Sequence, residues 1–326
     1  MKIEDILNLT EGVLTNTPKV QAIESATVYP SKVDHGDLFF SSSQEDIDKA
    51  VENGAYAIVY DIDTLVKTDD EIAWIKVSNI KLAAYKLIRY VVIKKEASFY
   101  LLSEHELTFL KMILTHKTNI SFISNDWHKA FEQILNSDDS LFVGTDKELM
   151  QLIKPDTKKL NREVEGYPVS DTLFRTTFKV GAFVYQEKEL IPFHLEYLLR
   201  AVDFCEQQDL PYSIDKIKYT KHFMPIFIDL KLKSTRPSNS DRVAIFTDNL
   251  PDIAKAREYV MRSNMWVKSI VLTPPKTKVP NIDHPHWFNN EEEVRELLKS
   301  IHFNYAFIYN ADKSILNTIK EEYSLF

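Results

Sequence analysis

Six glycines, Gly12, Gly36, Gly54, Gly144, Gly166 and Gly181, decide first what the chain can do with phosphate. The two nearest, Gly166 and Gly181, lie 15 positions apart. A phosphate loop of the G-x-x-x-x-G-K kind, or a dinucleotide turn of the G-x-G-x-x-G kind, needs glycines a few residues apart. Only backbone free of Cβ atoms turns successive N–H groups onto phosphate oxygens. Neither pattern occurs anywhere in the sequence. His105-Glu106 opens like the zinc motif H-E-x-x-H, but Phe109 stands where the second histidine is needed. Asp283-His284-Pro285-His286 is dense in metal-ligating atoms. Pro285 makes it a turn entering a strand, with no cysteine or acidic pair close by, so it reads as a surface turn. There is no G-x-S-x-G elbow. The acidic runs Glu291 to Glu293 and Asp138-Asp139 fall at expected helix starts and turns, where they suit the helix dipole. Cys205, the one cysteine, follows the largely apolar stretch Tyr197 to Phe204 and reads as a small buried hydrophobe rather than a nucleophile. No catalytic residue, metal ligand or cofactor is assigned.

The elements that must position these residues repeat a strand–helix rhythm. In a first block, residues 1–82, Asp37 to Ser41 reads as a strand. Gln44 to Asn53 follows as a helix stopped by Gly54, and Ala55 to Tyr60 as a buried strand. Ala73 to Val77 is another short strand. A second block, residues 83–238, alternates strands at Ser98 to Leu102, Ile120 to Ile123 and Ser140 to Val143 with helices at Glu104 to Leu114, Trp127 to Leu135 and Lys147 to Ile153. That alternation predicts parallel strands with crossover helices. Arg175 to Tyr185 reads as a hairpin region around Gly181, His194 to Glu206 as an amphipathic helix, and Pro225 to Asp229 as a strand. Lys233 to Asp241, polar and containing a proline, reads as a linker. The third block, residues 239–326, predicts strands at Val243 to Phe246, Val267 to Leu272, His286 to Phe288 and Tyr305 to Tyr309, with helices at 250–263 and 291–301. This is the rhythm of a small doubly wound, Rossmann-like unit.

Composition excludes several function classes. The 326 residues are 44% hydrophobic and 12% aromatic, enough for two or three packed cores. Aromatic runs such as Phe39-Phe40, Phe99-Tyr100 and Tyr305 to Tyr309 lie in strand-like segments and read as core. The net charge of −8 opposes nucleic-acid binding, and the short basic runs Lys154 to Lys159 and Lys216 to Lys221 read as solvated faces. No apolar segment is long enough to span a membrane, and Met1 to Leu9 has no signal-peptide pattern. With a single cysteine, a reducing, cytoplasmic setting is expected.

Ser31 to Val59, running SKVDHGDLFF through a helix to NGAYAIV, resembles the N-terminal domain of Mur ligases, which add amino acids to UDP-N-acetylmuramic acid in peptidoglycan synthesis. Gly36-Asp37-Leu38-Phe39 and Gly54-Ala55 match that family's "GDLF" and "GA" segments. Ser31-Lys32 stand where it has Ser-Arg, Pro30 replaces the preceding Asp, and its DGH segment is absent. The order of the blocks resembles the D-alanyl-D-alanine-adding branch. Ser103 to Thr108 (SEHELT) lies where that branch has its ATP loop, with every glycine gone, Leu107 near the position of the motif lysine, and Glu104 and Glu106 adding negative charge. Asn125 falls near the family's "N.N..G" segment. His194 matches the histidine of a helix that contacts ATP, the family's asparagine there being Leu198. Arg236-Pro237 falls near the "YNANP" segment, and Val243 onward resembles the small third domain.

The resemblance implies an α/β fold in a three-domain Mur-ligase-like layout with a Rossmann-like C-terminal domain. By position, residues 1–82 are an N-terminal domain of UDP-sugar-binding type, 83–238 a degenerate central ATPase-like domain, and 239–326 the C-terminal domain. It further implies that Ser31, Lys32, Gly36, Asp37, Leu38 and Phe39 are the sugar-nucleotide positions. Ser103, Glu104, Leu107, Thr108 and His194 are then degenerate ATP-site positions. The expected function is binding or scaffolding in peptidoglycan metabolism without ATP turnover, with a UDP-N-acetylmuramoyl peptide or a cell-wall synthesis enzyme as partner. The alternatives are an active ATP-dependent ligase with a non-standard ATP site, or an unrelated α/β binding module.

Overall fold

The computed structural model describes residues 1–116, 119–263, 266–282 and 284–316. The chain divides into two compact units, Met1–Leu107 with Lys117–Leu160, and Thr108–His116 with Asn161–Phe326.

The first unit holds two sheets. One runs in the order Val13–Leu14, Ala73–Lys76, Ala57–Tyr60, Leu38–Phe40, Ala26–Thr27, parallel except for the antiparallel Val13–Leu14 edge. Its continuous apolar strands follow from burial on both faces. Leu38, Phe40, Val59 and Ile75 point into one core with the helices Ile3–Thr10 and Ile80–Lys94. Phe39, Ile58 and Trp74, one step out of phase and paired across the strands, point into a second core with the helix Gln44–Glu52. Each such fully buried side chain contributes about 2–3 kcal/mol through removal from water. The helix Gln44–Glu52 starts on Ser43, whose hydroxyl accepts the Asp46 N–H. It ends in a Schellman turn: Ala55 N–H donates to Ala50 C=O, Gly54 N–H donates to Val51 C=O, and Gly54 has φ +97°.

The second sheet of this unit is wholly parallel, in the order Ile120–Phe122, Leu141–Gly144, Ser98–Leu101, Lys158–Lys159. Its strands alternate with helices as the sequence predicts. The helix Ile80–Lys94 lies outside that expectation.

The second unit contains a three-stranded antiparallel sheet, Gly166–Asp171, Thr176–Val180 and Phe183–Lys188. Gly181 makes the hairpin turn at φ +53°. A five-stranded sheet runs Met224–Phe227, Val243–Thr247, Tyr305–Tyr309, Ser269–Thr273, His286–Trp287. The last four strands are parallel, and Met224–Phe227, which contains Pro225, pairs antiparallel at one margin. Val243, Ile245, Val271 and Phe307 pack with the helix Leu250–Ser263. Ala244, Phe246, Leu272 and Ile308 pack with the helix Glu291–Ser300. The two helices therefore cover opposite faces, which is the doubly wound arrangement expected from the sequence. The expected polar linker carries a 3-10 turn, Pro237–Asn239, and a bridge from Ser234 to Ile228. Among the described residues no helix is long and apolar enough to cross a membrane.

Candidate functional site

The C-terminal edge of the four-stranded parallel sheet is where an open α/β sheet places ligands, because helix N-termini gather there with unpaired N–H groups. Three helices begin at this edge: Glu104–Ile113, Trp127–Leu135 and Lys147–Ile153. Each already holds a carboxylate of its own. Ser103 N–H and Ser103 Oγ donate to Glu106 Oε2 at 2.7 and 2.9 Å, and Glu106 N–H returns to Ser103 Oγ at 3.3 Å. This reciprocal pair is the S-x-x-E capping box, and Glu106 is buried. Lys129 N–H donates to Asp126 Oδ1, and Leu149 N–H donates to Asp146 Oδ1, each at 3.0 Å. The Lys129 N–H bond holds the Asp126 carboxyl below the usual range, with His128 and Lys129 charges adding to it. Thr145 Oγ1 donates to Glu104 Oε1 at 2.8 Å, with Asn125 Oδ1 3.3 Å from the same hydroxyl.

Ser103, Glu104 and Asn125 thus meet at one edge, as the sequence order implies, and Leu107 lies one turn into the helix, its N–H donating to Ser103 C=O. The role of Glu106 was not foreseen. It is a filled anion position rather than merely a repelling charge. The signal existed in the spacing of Ser103 and Glu106.

The sugar-nucleotide candidates do not converge on one surface. Ser31 and Lys32 are exposed on a 3-10 turn, Pro30–Lys32, tied by Asn53 Nδ2 donating to Pro30 C=O at 2.9 Å. Lys32 Nζ lies 3.4 Å from Glu132 Oε2 and 5.1 Å from the Tyr29 ring centroid. Glu132 is buried and also accepts from Thr27 Oγ1 at 2.6 Å, Val28 N–H at 3.0 Å and Asn136 Nδ2 at 3.1 Å. Gly36 is a turn residue at φ +101°. Asp37 is buried, accepting from Ser25 Oγ at 2.6 Å and Asp34 N–H at 2.9 Å. Leu38 and Phe39 are fully buried in separate cores. Of the six, only Ser31 and Lys32 present side chains to solvent.

In the second unit, Thr108 and His194 each join a histidine–carboxylate pair. Asp248 is an ionisable acceptor 2.8 and 2.9 Å from His222 Nδ1, so the Nδ1–H donates to it. In the neutral ring His222 Nε2 then accepts from the Thr108 hydroxyl, 3.0 Å away. With the imidazole neutral, this order of hydroxyl, imidazole and carboxylate is one that polarises an O–H bond. His222 is buried, and Asp248 follows the strand Val243–Thr247 at its C-terminal end. His194 Nε2 meets Asp252 Oδ2 at 2.8 Å, both buried, within a ring of Phe109, Phe193, Tyr197 and Phe223. Partners 26 and 58 residues apart left no trace in local spacing. Of the Asp283 to His286 run, Asp283 lies outside the described residues, and His286 opens the edge strand His286–Trp287. Cys205 is buried, and burial pushes its thiol up to about 12.

No family model and no curated protein matches the sequence. Solved structures do. MurF from Acinetobacter baumannii superposes with a TM-score of 0.53 at 11% identity, over 94% of this chain and 95% of that one. A MurF ligase from Thermotoga maritima, in complex with ADP, gives 0.52 at 10% identity, over 90% and 95%. The UDP-N-acetylmuramoylalanyl-D-glutamyl-2,6-diaminopimelate–D-alanyl-D-alanyl ligase from Acinetobacter baumannii gives 0.50 at 12%, over 94% of each. With its parallel sheets, crossover helices and doubly wound C-terminal sheet, the chain has a Mur-ligase-like α/β fold.

Proposed function

We propose that this chain is a degenerate Mur-ligase-like protein of peptidoglycan metabolism that binds or scaffolds without turning over ATP at its central sheet. One observation carries the reading: the Ser103 N–H, at the turn corresponding to the family's phosphate loop, is occupied by the Glu106 carboxylate at 2.7 Å. Ligation through an acyl phosphate needs a positioned γ-phosphate and Mg²⁺. A triphosphate brought to this edge would have to displace Glu106 and lie beside Glu104, Asp126 and Asp146. Four carboxylates without a glycine turn oppose that approach.

The three-domain division at residues 82 and 238 is part of the same reading, as is retention of a UDP-N-acetylmuramoyl peptide by the N-terminal domain. Ser31 and Lys32, both exposed, are the side chains that would meet such a ligand, with Lys32 offering a point charge to a diphosphate. The Gly36–Phe39 segment would act through the turn it builds. A cell-wall synthesis enzyme is the alternative partner.

Thermal shift tests the reading. A ligand at a hundredfold excess over Kd stabilises by about 2.7 kcal/mol. UDP-N-acetylmuramoyl peptide should raise the midpoint and Mg-ATP should not. A shift with Mg-ATP accompanied by phosphate release would restore an active ligase. No shift with either ligand would leave capture of a cell-wall enzyme from native extract as the deciding measurement.

A further inference from the structure

A cavity of about 440 Å³ opens in the second unit beside the antiparallel edge strand Met224–Phe227. It is unrelated to the carboxylate-filled edge of the central sheet and stands independently of the function proposed above. Its size falls within the range of small-molecule sites. Its lining combines the aromatic rings of Phe174, Phe227 and Tyr219 with the polar groups of Glu189, Arg175 and Thr235. The Phe174 and Phe227 rings meet at 75° with centroids 5.5 Å apart. Tyr305 stacks on Phe174 at 22°, backing that ring against the sheet. Two rings at 75°, on a lining that also carries the Tyr219 ring and the Glu189 carboxylate, offer aromatic surface and negative charge to a cation.

We propose that this cavity binds a small ligand carrying both an alkylated ammonium and a carboxylate, of the betaine class. The ammonium would lie against Phe174, Phe227 and Tyr219 beside Glu189, and the carboxylate toward Arg175. Alkylation is part of the reading because the ring faces themselves offer no hydrogen-bond acceptor. A primary ammonium would lose hydrogen bonds to water there, whereas N-methyl groups gain contact with the rings. Burial and then the Glu189 charge push the Tyr219 phenol up to about 12, with Arg175 opposing less strongly. The phenol is therefore neutral at ordinary pH. Arg175 stands 3.9 Å from Glu187 in an exposed, loose pair, which leaves guanidinium donors for a ligand carboxylate.

Titration calorimetry on the full chain, with glycine betaine, tetramethylammonium and glycine as probes, separates the components. Glycine betaine should bind, and glycine should bind at least about tenfold more weakly, since it keeps the carboxylate but lacks the methyl groups. Glu189→Gln should weaken both betaine and tetramethylammonium about tenfold. Arg175→Gln should weaken betaine and leave tetramethylammonium unchanged. Both side chains are exposed, so both variants should keep the native circular dichroism. Absence of betaine binding overturns the proposal. So does glycine binding as tightly as betaine, or unchanged betaine affinity in either variant.

Discussion

Replacing Glu106 by alanine removes the acceptor of two hydrogen bonds, from Ser103 N–H and Ser103 Oγ. A hydrogen bond to a charged group contributes about 1.5–3 kcal/mol, and at the low end of that range the pair contributes about 3 kcal/mol. Ser103 is exposed, and water can reach its freed N–H, recovering about 1 kcal/mol. The expected loss for Glu106→Ala is therefore about 2 kcal/mol, in line with the loss of a helix cap. Glu106→Gln keeps an amide oxygen for the same donors and gives up only the charge, so it should cost about 1 kcal/mol. Urea titration followed by far-ultraviolet circular dichroism measures both. A loss under about 0.5 kcal/mol for Glu106→Ala would refute the capping assignment, as would equal losses for the two variants. Mg-ATP added to Glu106→Ala should still give no thermal shift, because Asp126 and Asp146 keep their positions on the neighbouring helix starts.

Glu132→Ala strands the Thr27 hydroxyl and the Val28 N–H in a buried site and should cost about 3 kcal/mol. Lys32→Met, at a side chain 57% exposed, should cost under about 1 kcal/mol, with both read by chemical denaturation. Gly54→Ala places a Cβ 3.3 Å from His35 Cα at φ +97° and should lower stability by about 1–3 kcal/mol in a thermal melt. Cys205 should stay unreactive toward a disulfide reagent at neutral pH until the chain is unfolded, since its thiol is buried and pushed up to about 12. Tyr219 and Tyr259 are held near 12, chiefly by burial, with Glu189 and Asp171 adding to it respectively. Unfolded tyrosines ionise near about 10, so the folded form retains protons that the unfolded form releases. Stability contributed by these phenols is present below that pH and should fall as pH rises toward 12, which ultraviolet titration alongside a pH series of melts would follow.

The strand–helix alternation was legible where apolar runs were continuous or helices ended on a clear signal. Ala57–Tyr60, Val243–Thr247 and Tyr305–Tyr309 lie where apolar runs place them, and Gly54 stops its helix. The helix Ile80–Lys94 was missed because Leu82, Tyr90 and Ile93 are exposed while Ala83, Leu87 and Ile88 are buried, so apolar residues surround it and blur its period. Val13–Leu14, Ala26–Thr27 and Lys158–Lys159 are two-residue strands, too short to carry any period. Around the central sheet, the loss of glycines was visible in the sequence. The spacing of Ser103 and Glu106 signals the capping box that fills this anion position, whereas the negative charge alone signals only repulsion. The Thr108–His222–Asp248 chain depends on long-range packing and was beyond local pattern.

Pro225 sits at the margin of the five-stranded sheet, in a strand whose outer edge is covered at Phe227, where the C=O accepts the Thr235 N–H at 2.8 Å. It lacks an N–H, so a stray strand from another molecule would meet a gap in its ladder there. At the far margin, His286–Trp287 offers two residues, too little length to template a long pairing. Between them, a prolyl ring and a truncated border leave this sheet few free N–H groups on which a further strand could pair.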